Sequence, residues 1–274
     1  MSAVLARAVA VVAAVLLTAG CTSSGSDDPP AASPSPAEST ATAPPEPEQP
    51  RPKTGQCHRL SPRTAVAPTH PARPVACRRN HTAQTFFVGT LDLSPGGTPV
   101  SIDAPEVQRQ MAATCPKRLL RHLKITPKEL RLTMARAIWF TPTVEDAAAG
   151  ADWFRCDLVV VAAPDVLMRL PRRTAGSGDL PGFAMCATAE PGTKQFRRVA
   201  CARKHAWTAI ATVDLPGKAL PNPQAASARM EPACRDAARE HADDPLAFRW
   251  SEERPTKQQW RAGQRYGICW VPAG

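Results

Sequence analysis

The chain has 274 residues, with 34 Lys and Arg against 24 Asp and Glu, a formal net charge of +10, and nine cysteines. Its N-terminal apolar run, Ala8 to Ala19, falls short of the about 20 residues that a bilayer-spanning helix needs, which excludes it as a transmembrane segment. So basic a chain first raises nucleic acid as a partner, but the export signal read next and the lack of an RNA-binding aromatic motif exclude it.

Met1 to Gly20 read as a lipoprotein signal peptide, with Arg7 supplying the positive charge ahead of the apolar run. Leu17-Thr18-Ala19-Gly20-Cys21 resembles a bacterial lipobox, so Cys21 is the expected lipidation site. Two acyl chains on one cysteine suffice for stable anchoring, where a single chain is marginal. Residues 21–53 follow as a tether: from Thr22 to Lys53 there are nine prolines and no large apolar residue. Such a composition cannot bury enough surface to offset its ordering entropy. The expected location is the outer face of the cytoplasmic membrane, with a folded head in the cell-wall space.

With Cys21 assigned to lipid, eight cysteines remain, in two sets of four. The gaps are 20, 38 and 41 residues from Cys57 through Cys77 and Cys115 to Cys156. They are 15, 33 and 35 from Cys186 through Cys201 and Cys234 to Cys269. Val75-Ala76-Cys77-Arg78-Arg79-Asn80-His81 aligns with Val199-Ala200-Cys201-Ala202-Arg203-Lys204-His205. Pro142-Thr143 stands as far before Cys156 as Pro255-Thr256 stands before Cys269, and Gly150 and Trp153 match Gly263 and Tyr266. The sequence therefore reads as a tandem repeat, with domains at 54–163 and 182–274 and a linker at 164–181. An exported chain with an even cysteine set is a disulfide framework. Three connectivities are open in each set. We favour Cys57–Cys77, Cys115–Cys156, Cys186–Cys201 and Cys234–Cys269, because the short first gap suits neighbouring strands and the second bridge ties the helix to the last strand.

Each repeat predicts the same elements in the same order. A short strand carries the first cysteine, at 56–60 and 182–187. A strand rich in Thr, Val, Ile and Phe follows the second, at 83–93 and 207–215. A helix holds the third, over 104–123 and 224–241, with Pro116 and Pro232 expected to kink or break it. A short strand comes next, at 137–140 and 246–250. A helical turn capped by Thr143 or Thr256 and ended by Gly150 or Gly263 leads to a closing strand at 153–162 and 266–271. The fold class is α+β: two small disulfide-stapled domains, each a short sheet with one main helix.

Charge is unevenly placed. The tether holds five acids and two bases, whereas residues 54–274 hold 31 bases and 19 acids. The densest basic stretch is Lys117, Arg118, Arg121, Lys124, Lys128, Arg131 and Arg136. Outside the membrane its partners would be an anionic wall polymer, anionic lipid or a division or wall-synthesis protein, and attraction to a polyanion weakens with salt. Lys117, Arg118, Arg121 and Lys124 are candidate ligand contacts, and so are His81 and His205, which recur at equal positions. Trp260 faces Ala147 of the first copy, which makes it a candidate exposed contact.

Nothing in the chain matches a nucleophile elbow, a phosphate loop, a dinucleotide fingerprint or an HExxH helix. Cys77 with His81, and Cys201 with His205, supply half a zinc site without a second close pair. No cofactor, metal or catalytic residue is predicted.

The motif set resembles the actinobacterial septum-formation family of exported proteins. The resemblance rests on Gly55-Gln56-Cys57, on Val75-Ala76-Cys77 with His81, on the helical cysteine, and on Pro255, Trp260, Gly263 and Cys269. It covers residues 55–272 as two copies. An acidic residue frequent three places after the histidine in that family is Gln84 or Thr208 here. The resemblance implies a role near cell division and no reaction. The expected function is a non-enzymatic, membrane-anchored binding protein of the envelope. The alternatives are a wall-modifying enzyme with an inter-domain site and a solute-binding lipoprotein.

Overall fold

A computed structural model describes residues 50–176 and 181–274. The signal peptide, Cys21 and most of the tether lie outside the described residues, as do residues 177–180 of the expected linker. The architecture is α+β, with two five-stranded antiparallel sheets and four disulfides.

In the first half, β1 (Cys57–His58) leads through α1 (Pro62–Ala65) to β2 (Ala83–Thr90), α2 (Pro105–Leu123) and α3 (Pro127–Arg131). Then come β3 (Ala135–Phe140), α4 (Val144–Ala148), β4 (Trp153–Ala163) and β5 (Val166–Leu167). The second half runs β6 (Met185–Ala187), β7 (Arg198–Ala200), β8 (Trp207–Asp214), α5 (Pro223–His241), β9 (Ser251–Glu253), α6 (Lys257–Arg261) and β10 (Tyr266–Pro272). The sheet orders are β1-β2-β4-β3, with β5 on β4, and β7-β6-β8-β10-β9. Cys57 pairs with Gln84 and Cys186 with Thr208, and Trp139 faces Cys156 as Glu252 faces Cys269.

The long helices are held by stripes four residues apart. Val107, Met111, Cys115, Leu119 and Leu123 are buried along α2, and Ala226, Met230, Cys234 and Ala238 along α5. Each bridge fixes its stripe to the closing strand, through Cys115–Cys156 and Cys234–Cys269. Pro116 and Pro232 are expected to kink or break these helices; neither breaks its helix, and each runs for 19 residues. A proline in a helix interior costs about 3 kcal/mol. Burying one large apolar side chain returns about 1.5–3 kcal/mol, and the stripe continues on both sides of each proline.

The caps follow the sequence closely. Thr143 accepts from the backbone N–H of Asp146 and Thr256 from that of Gln259, while Gly150 and Gly263 close their turns at φ of 97° and 94°. One strand is displaced: 246–250 was expected, but β9 forms at Ser251–Glu253 and Leu246 is exposed. Register decides this, because Trp270 pairs with Ser251 and Ile268 with Glu253.

The expected linker is bound to the first half over its described part. Leu167 pairs with Val161, Leu170 N donates to His81 O, and buried Thr174 donates through N and Oγ1 to Gln84 Oε1. At the junction Met134 N donates to Phe183 O and Met185 N to Leu132 O, both at 2.8 Å. A single buried cluster joins Met111, Leu158 and Met134 to Met185, Trp207 and Trp270, so the halves share a core.

Candidate anion-binding cleft

At this junction α2, α3 and β3 face β7, α6 and the start of β10 across a cleft of about 390 Å³. Three arginines line it in different states. Arg198 on β7 is held by Glu253 through Nε and Nη2, at 3.0 and 2.8 Å. Arg131 at the end of α3 reaches Asp214 Oδ1 at 2.5 Å and stacks 4.3 Å over the Tyr266 ring. Arg136 on β3 donates to the carbonyls of Thr133 and Ala135, at 2.9 and 2.7 Å. Among the described residues it has no carboxylate partner. Its side chain reaches the surface, yet protein around the guanidinium pulls the pKa below the usual arginine value, and the Arg198 charge adds to this. An arginine keeps its charge through such a shift. The cleft thus carries one uncompensated cation, and a planar guanidinium suits a bidentate oxyanion.

The other candidates fall into distinct places. Lys117, Arg118, Arg121 and Lys124 are exposed along and just beyond α2, and Arg118 lies 4.0 Å over the Phe87 ring. Pro116 belongs to the cleft wall, so this basic face continues outward from it. His81 is buried, its Nδ1 2.9 Å from Arg79 O and its Nε2 3.2 Å from Pro171 O. Both nitrogens therefore lie against carbonyls of the chain itself. His205 sits 2.7 Å from Arg203 O in the matching turn. The recurrence of these histidines follows from closing that turn.

Trp260, expected to be exposed, is only 6% exposed, and its indole N–H donates to Lys218 O at 3.1 Å. It faces an apolar groove of about 650 Å³ with Leu215, Leu220, Pro221 and Pro255. α6 turns the ring inward because its other faces carry Lys257 and Arg261, which are exposed. All eight described cysteines are in disulfides, so Cys77 and Cys201 offer no thiolate to a metal.

Nothing in the sequence marks Arg198 or Tyr266 as a site residue, since they reach the cleft only through the packing of the halves. The signal present was a basic stretch ending in Arg131 and Arg136. A family model described as septum formation matches residues 55–269, a span that takes in both four-cysteine halves. No curated protein and no solved structure matches the chain.

Proposed function

This chain belongs to the septum-formation family, and from that premise we propose that it is an exported, lipid-anchored envelope protein acting in septum formation. In this reading Cys21 carries the lipid, residues 21–53 form the tether, and a duplicated head binds an anionic wall polymer. The core order shared by the two halves, β1-β2-α2-β3-α4-β4 and β6-β8-α5-β9-α6-β10, supports the duplication. The observation that carries the binding role is Arg136, a cation with no carboxylate partner among the described residues, beside Arg131 and Arg198. The exposed bases of α2 extend the attraction outward. The head is read as a binder and not an enzyme: its cysteines are bridged, and His81 is spent on backbone carbonyls.

The test is co-sedimentation of the purified full chain with cell-wall polymer, beside vesicles of anionic lipid, at about 0.15 M and about 1 M salt, where the screening length falls from about 8 to about 3 Å. Wall binding should be lost at high salt and weakened several-fold by Arg136→Ala. Salt-insensitive wall binding, binding indifferent to Arg136, or binding to vesicles alone would overturn the assignment.

A further inference from the structure

The first sheet buries charge where the second buries hydrocarbon. On the face opposite α2, His58 Nε2 lies 3.1 Å from Thr85 Oγ1, and the Thr85 hydroxyl donates to Asp157 Oδ1 at 2.7 Å. Thr85 therefore accepts from His58 Nε2–H, which leaves His58 Nδ1 buried without a partner. Arg155 Nε is 3.2 Å from Asp157 Oδ2, close enough to pair but poorly aligned for a hydrogen bond. Arg155 Nη2 meets His70 Nδ1 at 2.9 Å, so His70 carries its proton on Nε2. His58, Thr85, Arg155 and Asp157 are at most 4% exposed.

In the second half the matching positions are Ala187, Ala209, Ile268 and Trp270, all buried and apolar. Ile268 and Trp270 lie in the core shared with the first half, whereas Arg155 faces the segment that carries His70. The shared strand order, β1-β2-β4-β3 against β6-β8-β10-β9, thus closes with no ion pair at these four positions. Burying one costs several kcal/mol per ion before their attraction is counted. The sheet does not require Arg155, yet it holds Arg155 in place with Asp157 behind and His70 in front.

Arg155 and His70 open on a cavity of about 100 Å³, together with Trp153, Gln56, Arg51 and Arg73. The side chains around it present donors. The indole N–H of Trp153, a residue 3% exposed, is buried without an acceptor among the described residues. His70 Nε2–H and the second terminal nitrogen of Arg155 make no hydrogen bond, and Arg73 has no carboxylate partner among the described residues. The Gln56 carbonyl oxygen is taken by Lys53 N at 3.0 Å, and Arg51 is paired with Asp152 at 2.9 Å. Among the described residues no carboxylate lines the cavity. Its volume is about three times the ~30 Å³ that one water occupies in the liquid. That is room for a group of four or five heavy atoms.

We propose that this cavity binds a compact oxyanion, a carboxylate or phosphate group, held by Arg155, His70, Trp153 and Arg73. Such a group offers acceptors to these donors and supplies the negative charge that Arg73 lacks as a partner among the described residues. The site is separate from the cleft at Arg136 and does not rest on the proposed function.

The test follows indole N–H resonances of the ¹⁵N-labelled full chain while inorganic phosphate, and separately acetate, is added at constant ionic strength held with chloride. Trp153→Phe identifies the Trp153 signal by its loss. In the wild type that signal should shift saturably with phosphate, acetate or both, and the arm that succeeds names the source of the oxyanion. Arg73→Ala, at an exposed position, should weaken binding at least ~10-fold with the melting temperature unchanged. Arg136→Ala should leave it intact. No saturable shift in either arm, an equal shift with chloride, or full affinity in Arg73→Ala would overturn the site and leave water as the partner of these donors.

Discussion

Asp157 and Trp270 stand at the same place in the two sheets, each one residue after the cysteine that ties the closing strand to the long helix. Both are fully buried. One position thus carries a carboxylate in the first half and an indole in the second. The carboxylate is tolerable because Arg155 and Thr85 face it. Asp157→Asn would leave Arg155 buried and uncompensated, which should cost about 3–5 kcal/mol. The double replacement Arg155→Met with Asp157→Leu removes both charges and should cost less than the single change. Chemical denaturation of the three proteins measures this, and a double mutant weaker than Asp157→Asn would count against the pairing.

His58 makes stability depend on pH. Burial, with the charge of Arg155 next and then His70 and His81, lowers its pKa from 6.5 to about 3. Above pH 6.5 the ring is neutral in both folded and unfolded chains and contributes nothing. Below it the unfolded chain takes up a proton that the folded chain refuses, so stability falls as pH falls. Between pH 6.5 and pH 5, above most carboxylate titration, the loss should be about 1.5 kcal/mol. His70 and His122, also lowered by burial, add in the same direction. Urea titrations across this window should show the slope, and His58→Ala should flatten it whatever its effect on stability at pH 7.5.

Two glycines are set by close approach. An added Cβ at Gly89 would come within 2.3 Å of the Phe154 ring, its cross-strand partner. At Gly267, the position in β10 that matches Phe154, a Cβ would fall 2.2 Å from Met230 Sδ and 3.1 Å from Glu253 O. Each sheet thus gives up one side chain so that another residue can fill the space, with the strands' roles exchanged. Gly267→Ala should cost about 1–3 kcal/mol through overpacking. A melting temperature equal to the wild type's would show that Met230 moves aside freely.

Much of the fold was legible because local chemistry announces it. Pro-Thr before an acidic or amide residue, with glycine several residues later, marks α4 and α6. The matched cysteines mark the strands and helices they join. The displaced strand β9 shows where local reading ends. Leu246-Ala247-Phe248-Arg249-Trp250 has the composition of a strand, but pairing with β10 is fixed by the turn and by Cys269, which puts the ladder at 251–253. The interruption expected at the prolines failed for a related reason, since stripes on both sides of Pro116 and Pro232 are buried together.

The site was less legible. Arg131 and Arg136 stood in a visible basic run, while Arg198 and Tyr266 join them only through the packed junction. The buried chain of His58, Thr85, Arg155 and Asp157 has no local motif, because strand alternation scatters its members. It was detectable as the positions where the two four-cysteine halves differ in kind: His58 against Ala187, Thr85 against Ala209, Asp157 against Trp270.

The most direct measurement is the position, in growing cells, of the full chain fused to a fluorescent reporter that folds outside the membrane, compared with its Arg136→Ala variant. The wild-type protein should form a band at the division septum, and the variant should be weaker there and more evenly spread at equal abundance. A wild-type protein spread evenly around the envelope would contradict the proposed role in septum formation.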